Sequence, residues 1–257
     1  MRIIRYQQPD SLPQYGWLAG ETVGPIQGDL FGTFQRDEPK IPLDSVRLLT
    51  PAAPSKIICV GRNYAAHAKE HGVDVPKIPL IFLKPPSALI ADGETIVLPP
   101  QSQQVEHEAE LTVVIGRRGF RITPEDAFSH VFGYAIANDV TARDLQRSDG
   151  QWTRAKGFDT FCPLGPWIET EFDPADAVIT CKVNGELRQM ASTRDMIFTI
   201  PQLIAYISSV MTLEPGDIIL TGTPAGVSPL HPGDTVEAEI EGIGKLSNPV
   251  TQTGVSP

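Results

Sequence analysis

The chain has 257 residues, of which 41% are hydrophobic and 20% are charged, and its formal net charge is −10. These values are typical of one large globular domain, or of a medium domain with a small appendage, and they indicate neither disorder nor low complexity. The negative charge and the lack of a basic run argue against a nucleic-acid partner, because neutralising phosphates requires clustered Lys and Arg.

The N-terminal region is predicted to be a small β domain. Residues 1–50 alternate short apolar stretches with turn residues, as in MRIIRY, YGWLAG, TVGPIQG and DLFGTF, a pattern typical of meandering strands. The prolines of LLTPAAPSK, at residues 48–56, disfavour regular structure and indicate a linker. We therefore predict two domains, covering residues 1–50 and 51–257.

The second unit opens with a strand, a short helix and another strand. KIICVG is apolar and ends at Gly61, which is typical of a short buried strand. RNYAAHAKEHG contains good helix formers and has a glycine at its end, so we predict a helix over residues 64–71. A strand is predicted over residues 80–83, because Pro85 and Pro86 follow it.

Two further helices are predicted. The first would start at Thr123, with Pro124 at the first helical position and Asp126 three residues after the cap. The second covers residues 200–211. Its apolar side chains fall at helical spacing on one face, and they are Leu203, Ile204, Ile207, Val210 and Met211.

The C-terminal part has two similar units, LEPGDIIL and LHPGDTVEAEI. Pro-Gly suits the centre of a type II turn, and β-branched residues follow each turn. Consecutive strands with tight turns predict a β-roll or barrel-like core. The fold class that we predict is therefore mainly β, with the helices packed outside (α+β).

A group of carboxylates stands out in VEHEAELTVVIG, residues 105–116. Strand side chains alternate faces, so Glu106, Glu108 and Glu110 share one face of a strand that continues into an apolar run. Asp139 ends a second apolar strand, VFGYAIAND. Three carboxylates without paired Cys or His favour a hard cation, Mg²⁺ or Mn²⁺ ahead of Zn²⁺. The alternative is a strand face that simply points to solvent.

These motifs also resemble those of a known family. EHEAELTVVIG is followed in order by GYAIANDVTARDLQ, KGFDTFCPLGPWI, VNGELRQ and LTGTPAGV, and it is preceded by VGRNYAAHAKEHG. In this combination the chain resembles the fumarylacetoacetate hydrolase family. The resemblance implies that family's mixed β-roll fold, with a short N-terminal region like that of bacterial members. That region is too short for the N-terminal domain of the fumarylacetoacetases proper, which argues against the namesake activity.

The resemblance also implies a set of site residues. The family binds a divalent cation, usually Mg²⁺, and leaves Glu106 without a metal role, as an acid at the rim of the site. His107 points to the opposite face, where we expect a packed or surface histidine. The implied residues are the metal ligands Glu108, Glu110 and Asp139, the catalytic residues His67, Glu70 and Lys156, and the substrate-binding residues Arg143, Gln146 and Thr223.

The reaction implied by the resemblance takes place on small 2-oxo acids, through a metal-bound enolate. Our first hypothesis is an isomerase or decarboxylase of the 2-hydroxyhepta-2,4-diene-1,7-dioate type. The alternative is an acylpyruvate hydrolase, or an oxaloacetate decarboxylase or tautomerase. Discrimination among them is expected in the pocket wall, at residues 73–80 and 147–152. Two hypotheses of other classes are an inactive metal-binding interaction protein and an acidic protein that binds a basic partner.

The remaining expectations concern location and assembly. MRIIRYQQPD has only a two-residue apolar step, so we expect no signal peptide. No stretch approaches the roughly 20 apolar residues of a membrane helix. Cys59, Cys162 and Cys181 are widely spaced and odd in number, which indicates reduced thiols. We therefore expect a cytoplasmic protein without a membrane segment, and the resemblance implies a homodimer.

Overall fold

The structure is a computed structural model, and it describes residues 1–252. Strands dominate it, which confirms the predicted mainly β fold with peripheral helices. The strands are β1 (Arg2–Gln7), β2 (Gln14–Ala19), β3 (Thr22–Gly28), β4 (Phe34–Arg36), β5 (Ile41–Pro42), β6 (Arg47–Leu49), β7 (Ile57–Gly61), β8 (Leu80–Lys84), β9 (Leu89–Ile90), β10 (Ile96–Leu98), β11 (Val105–Glu106), β12 (Ala109–Ile115), β13 (Val131–Asn138), β14 (Thr141–Ala142), β15 (Cys162–Glu169), β16 (Val178–Val183), β17 (Glu186–Ser192), β18 (Ile218–Leu220), β19 (Thr235–Ile240) and β20 (Gly244–Gln252).

The helices are few and short. None that the described residues form is long and apolar enough to cross a membrane. The α-helices are α1 (Ala65–Glu70), α2 (Arg143–Asp149), α3 (Thr153–Lys156) and α4 (Ile200–Val210). The 3₁₀ turns are Leu43–Ser45, Pro86–Ala88, Ala127–His130 and Thr193–Asp195.

Two sheets pack against each other around the core. Within residues 1–252, the larger sheet runs in the order β4-β3-β2-β1-β15-β13-β12-β18-β7-β8, with β5, β6 and β9 beside it, and the smaller in the order β10-β20-β19-β16-β17. Strand β12 lies between β13 and β18, and every one of its residues is buried. Burial on both faces explains its nearly continuous apolar run. The core joins Leu111 and Ile136 of the larger sheet to Ile179 and Ala238 of the smaller one.

The N-terminal strands extend the larger sheet. Strand β1 pairs antiparallel with β15 through the registers Arg2 with Glu169 and Ile3 with Ile168. The meander predicted for residues 1–50 is present as β1–β6. The division into two domains at residue 50 stays a prediction.

Most predicted elements lie where we expected them. Helix α1 falls inside the predicted 64–71, and β8 covers 80–83 and one residue more. Helix α4 buries Leu203, Ile204 and Ile207 against the core, as the helical spacing predicted. Its last residue, Val210, is exposed, because it faces away at the helix end.

The predicted helix at Thr123 is wrong. Residues 123–126 form turns and lead into the 3₁₀ turn Ala127–His130, after which β13 starts at Val131. Only a few residues separate the cap-like sequence from a β-branched and aromatic run. The pairing of β13 with β12 takes the chain from Val131, so only a 3₁₀ turn forms before the strand.

Candidate metal centre and active site

Three carboxylates meet where β12 and β13 pair. Glu110 lies in β12, Glu108 directly precedes it, and Asp139 directly follows β13. The antiparallel register brings these positions together. The backbone N–H of Asp139 donates to the Glu108 carbonyl at 2.9 Å, and the Asn138 side chain accepts from the Glu108 N–H at 2.8 Å. One oxygen of each carboxylate lies within 4.8 Å of the others, and all three residues are buried.

Buried cations surround this triad of Glu108, Glu110 and Asp139. Lys156 Nζ, from α3, donates to Glu108 Oε2 at 2.7 Å and to Asp139 Oδ2 at 2.6 Å. Lys84 Nζ, at the end of β8, donates to Asp139 Oδ1 at 2.6 Å and to the Val140 carbonyl at 3.1 Å. These contacts hold two of the three acids in place. Lys156 thus lies at the triad, where the resemblance puts it.

Arg143, at the start of α2, links the triad to Glu106. Its Nη2 donates to Glu108 Oε1 at 2.5 Å, its Nε to Glu106 Oε2 at 2.7 Å and its Nη1 to Gln146 Oε1 at 2.6 Å. The interpretation of Glu106 as an acid at the rim is therefore wrong. Its side chain is 6% exposed and is held in a buried ion pair. Arg143 positions both Glu108 and Gln146.

The three acids differ in how easily they lose a proton. Burial opposes ionisation of Glu108, but Lys156 and Arg143 outweigh it and hold the pKa of Glu108 well below its usual value. Burial raises the pKa of Glu110 well above its usual value, and the neighbouring Asp139 and Glu108 raise it further. Burial likewise opposes protonation of Lys156, yet the same two acids raise its pKa. Lys156 therefore stays charged.

The donor set fits a hard divalent cation. The buried cluster contains four carboxylates, those of Glu106 and the triad, against the three cations Lys84, Arg143 and Lys156. One carboxylate is left without a cation of its own, and burial, followed by the charges of Asp139 and Glu108, raises the pKa of Glu110. Glu110 Oε2 accepts a hydrogen bond from the Gly222 N–H at 2.6 Å. Oxygen-only ligands with surplus negative charge favour Mg²⁺ or Mn²⁺.

A histidine–glutamate pair lies on α1, and its histidine, His67, lines the same cavity as the triad. His67 Nδ1 is 3.2 Å from Glu70 Oε2, and Glu70 Oε1 accepts a hydrogen bond from the Gly226 N–H at 3.0 Å. Burial lowers the pKa of His67 and outweighs the opposing effect of Glu108. The imidazole is therefore neutral near pH 7, as a proton acceptor must be.

The loop after β18 closes the floor of the site. The Thr223 hydroxyl donates to the Ala109 carbonyl at 2.9 Å and accepts from Gln189 Nε2 at 2.8 Å. Gln189 also contacts His107, whose Nδ1 is 3.0 Å from Gln189 Oε1. This confirms His107 as a packed histidine. The contacts fix Thr223 to β12, with Gly222 beside Glu110.

The triad borders one cavity of about 280 Å³, together with residues of α1, α2, α3 and the loop after β18. This is at the lower end of the range for ligand pockets, which suits a small metabolite. Of the nine predicted site residues, Glu70 is the one that does not line it. Val73, Arg147 and Trp152 lie in the predicted wall segments, and Phe82 adds an aromatic face. The lining residues predicted from sequence are His67, Glu108, Glu110, Asp139, Arg143, Gln146, Lys156 and Thr223.

Sequence reasoning missed several supporting residues. Lys84 stands in the strand LIFLK, where a lysine usually points to solvent, and its 2% exposure is apparent only in the structure. Helix α2 was also missed, although Gly150, with φ +68°, follows it and is a typical C-terminal signal. Asn138 and Gln189, both buried amides, had no sequence signal that we recognise.

A mainly β fold with a buried carboxylate triad that could hold a divalent cation, and with a histidine on the same cavity, is typical of a class of enzymes that act on small molecules. The chain belongs to the fumarylacetoacetate hydrolase family. The family model "Fumarylacetoacetate (FAA) hydrolase C-terminal" matches residues 56–251. A second model, "Rv2993c-like, N-terminal", matches residues 1–51.

Relatives of the chain are named for different reactions. It is 48% identical to the mitochondrial oxaloacetate tautomerase FAHD2B of Bos taurus, over 82% of this chain and 72% of that protein. Among solved structures, 2-hydroxyhepta-2,4-diene-1,7-dioate isomerase from Mycobacterium marinum is 46% identical, with a TM-score of 0.92 and coverage of 99% and 100% of the two chains. Maleylpyruvate hydrolase from Sphingobium sp. SYK-6, in complex with manganese(II) and pyruvate, is 35% identical, with a TM-score of 0.81 and coverage of 98% and 99%.

Proposed function

We propose that this protein is a Mg²⁺-dependent enzyme, with Mn²⁺ as an alternative cation, that acts on small 2-oxo or 2-hydroxydienoic di-acids. The reaction that we propose is that of an isomerase or decarboxylase of the 2-hydroxyhepta-2,4-diene-1,7-dioate type. One observation carries the proposal: the carboxylate triad and His67 border the same small cavity, and Glu70, outside the cavity lining, contacts the His67 ring. The likeness to the Mycobacterium marinum isomerase supports it.

Glu108, Glu110 and Asp139 would hold the cation. When bound there, a divalent cation supplies Lewis acidity towards the keto group of a 2-oxo acid. Lys156 adds a fixed positive charge beside the triad, because its ammonium bridges Glu108 and Asp139. It stabilises the negative charge that grows on the substrate when the carbon next to the keto group loses a proton.

His67 would move that proton. Its neutral imidazole can accept a proton from the carbon next to the keto group and return it at another carbon, which is the change that an isomerase or tautomerase requires. Glu70 orients the ring and stabilises its charged form, while the Gly226 N–H fixes Glu70 in turn. The pair is thus held on both sides before any substrate arrives.

The carboxylates of the substrate need polar partners in the same cavity. We assign these to Gln146 and to the loop at Thr223, whose hydroxyl is already bonded to Ala109 and whose backbone amides are the remaining donors. Arg143 keeps Gln146 and Glu108 at a fixed separation. At the cavity mouth, Arg147 offers a further cation to the far carboxylate.

Hydrolysis of a C–C bond in an acylpyruvate, and tautomerisation of oxaloacetate, are the alternative reactions. The likeness to maleylpyruvate hydrolase favours the first and the likeness to oxaloacetate tautomerase favours the second. Each requires a base at the position of His67 and an acidic carbon or a water next to the triad. The reactions differ in the leaving group, so products distinguish them.

An ultraviolet assay of the purified protein with Mg²⁺ tests the proposal. The panel contains oxaloacetate, acetylpyruvate and a 5-carboxymethyl-2-hydroxymuconate-type dienoate, each with an EDTA control. We expect an EDTA-sensitive absorbance change with one member, and product analysis then assigns the reaction. Bound Mg²⁺ without activity on any member would contradict the proposed substrate class.

We also propose that the enzyme is a homodimer. Strand β8 forms one edge of the larger sheet, and it leaves Leu80 38% and Leu83 46% exposed. Ile78, just before it, is 65% exposed. An apolar edge strand is prone to pair with another chain, and a two-fold contact with a second copy would cover it. Light scattering after gel filtration measures the mass directly, and a monomeric mass would refute the proposal.

A further inference from the structure

Helix α1 and its end carry a second group of metal-binding side chains, separate from the triad. One ring nitrogen each of His67 and His71 and one carboxylate oxygen of Glu70 lie within 4.8 Å of one another. The two imidazole rings are in edge contact, with their centroids 4.6 Å apart. His67 Nδ1 is also 3.2 Å from Glu70 Oε2. Two nitrogens and one oxygen are therefore gathered in one small volume.

The spacing of these residues is that of a zinc site. His67 and His71 are four residues apart, which is the separation that lets two histidines on one helix face bind Zn²⁺ together. Zinc bonds of about 2.0–2.1 Å place tetrahedral ligand atoms about 3.3 Å apart. Glu70 is 32% exposed at its side chain, and His71 caps the helix with φ −87° and ψ 4°. Both side chains therefore have room for the small rotation required.

The chemistry of the donors separates the two sites. The triad offers oxygen alone, which suits Mg²⁺ and Mn²⁺, whereas two imidazoles and one carboxylate suit Zn²⁺. Both sites border one cavity, yet each prefers a different class of cation. The proposed reaction uses His67 and Glu70 but gives His71 no role, so the reaction does not explain why His71 joins the cluster.

We propose that Zn²⁺ binds to His67, Glu70 and His71 and thereby inhibits the enzyme. A histidine nitrogen and a carboxylate oxygen that bind the metal are no longer free to accept or relay a proton. The binding stands on the geometry of the three side chains alone. The inhibition rests on the proposed function, in which His67 and Glu70 move the proton.

Calorimetric titration of ZnCl₂ into Mg²⁺-saturated protein tests the binding. We expect one Zn²⁺ for each wild-type chain. His71→Gln should weaken Zn²⁺ binding by about tenfold or more, because even the loss of a hydrogen-bond partner of a metal ligand lowers the affinity for the metal by that factor. His231→Gln is the matched control. His231 Nδ1 is 3.6 Å from Asp234 Oδ2 at the same three-residue spacing, but no second histidine joins the pair in a cluster of the described residues.

Two results would overturn the proposal: Zn²⁺ binding that His71→Gln leaves unchanged, and Zn²⁺ binding that disappears in Asp139→Asn while His71 is intact. The first would remove His71 from the ligands, and the second would assign the ion to the triad. Thermal unfolding of each variant verifies that it is folded. In the assay, Zn²⁺ should inhibit wild-type turnover at a constant Mg²⁺ concentration, and His71→Gln should need about tenfold more Zn²⁺ for the same inhibition. Zn²⁺ binding without any turnover would refute the proposed function and leave the site standing.

Discussion

Lys84 and Asp139 form an ion pair that lies wholly inside the protein: Nζ is 2.6 Å from Oδ1, and the two side chains are 0% and 1% exposed. The residues are 55 positions apart in the chain: Lys84 ends β8, at one edge of the larger sheet, and Asp139 directly follows β13. The pair therefore joins the edge strand β8 to the triad. Asp139 also binds Lys156, so its two oxygens each have a buried ammonium.

Removing Lys84 should destabilise the fold. Lys84→Met leaves one Asp139 oxygen buried without its cation, and breaking one side of a buried ion pair typically costs about 3–5 kcal/mol. We expect the free energy of unfolding to fall by about 3 kcal/mol, near the lower end of that range, because Lys156 still compensates the carboxylate. Urea unfolding in EDTA measures it.

Lys245→Met is the control for that measurement. Lys245 pairs with Glu237 at the surface, with 53% of its side chain exposed. Exposed pairs contribute little to stability, so its midpoint in urea should hardly change. Equal losses in the two variants would show that burial of the Lys84–Asp139 pair has no special energetic weight.

The period of strand side chains placed Glu106, Glu108 and Glu110 on one face, and the resemblance to the family then selected Glu108, Glu110 and Asp139 as the acids that meet. Glu108 and Glu110 share a face because they are two residues apart. Asp139 directly follows β13, which is the next strand in the chain after β12. Strands that follow one another in sequence often pair in the sheet, so these three acids could be placed close together from the sequence. The same local reasoning found His67 and Glu70, since one helical turn determines their proximity.

Partners from distant parts of the chain could not be predicted in this way. Glu106 has the same strand period as Glu108, but its partner Arg143 is 37 residues away on a helix with one apolar position, Leu145. No periodicity marked that helix as buried. Likewise, no periodicity in LIFLK marked Lys84 as buried. The periodicity of a strand or helix predicts the face on which a side chain lies, but it does not identify the distant residues that contact it there.

The second prediction concerns Glu110→Gln. A carboxyl whose pKa is higher in the folded than in the unfolded state holds its proton longer when folded. The free energy of unfolding therefore falls as the pH rises from the ordinary value of 4.5 through the raised one. In EDTA, wild type should lose more stability than Glu110→Gln between pH 5 and pH 8. Urea unfolding at both pH values measures the difference.

The same variant tests the metal ligands. Glutamine still accepts from the Gly222 N–H but removes one anionic ligand, so the fold should survive. Mg²⁺ should raise the unfolding temperature of wild type and not that of Glu110→Gln, since a cation that binds only the folded state stabilises it. Stoichiometric Mg²⁺ binding by the variant would remove Glu110 from the ligand set.

The third prediction is a pH profile. Burial lowers the pKa of His67 below 6.5, and the neutral form is the one that accepts protons. We expect kcat/KM to stay high down to that lowered pKa and to fall at lower pH. Glu70 raises the pKa of His67 by its hydrogen bond and charge. Glu70→Gln should therefore move the fall to still lower pH and reduce the plateau by about a hundredfold.

A matched substitution separates this effect from general charge loss. Glu186 is an exposed acid, 69% exposed at its side chain, that pairs with Arg188, and neither residue lines the cavity. Glu186→Gln should leave both the plateau and the acid limb in place. An acid limb that moves to higher pH in Glu70→Gln would mean that His67 is not the group that titrates.

The fourth prediction separates binding from catalysis at Lys156. Its ammonium binds both Glu108 and Asp139, so in Lys156→Met these two carboxylates attract a cation more strongly. We expect Mg²⁺ to bind at least as tightly as in wild type. Turnover should nevertheless fall by about a hundredfold, because a fixed charge that stabilises the developing negative charge is lost. Calorimetry with Mg²⁺ and the ultraviolet assay, run on the same preparation, measure the two quantities. Retained turnover would remove Lys156 from the mechanism, and weaker Mg²⁺ binding would show that it supports the ligands instead of competing with the ion.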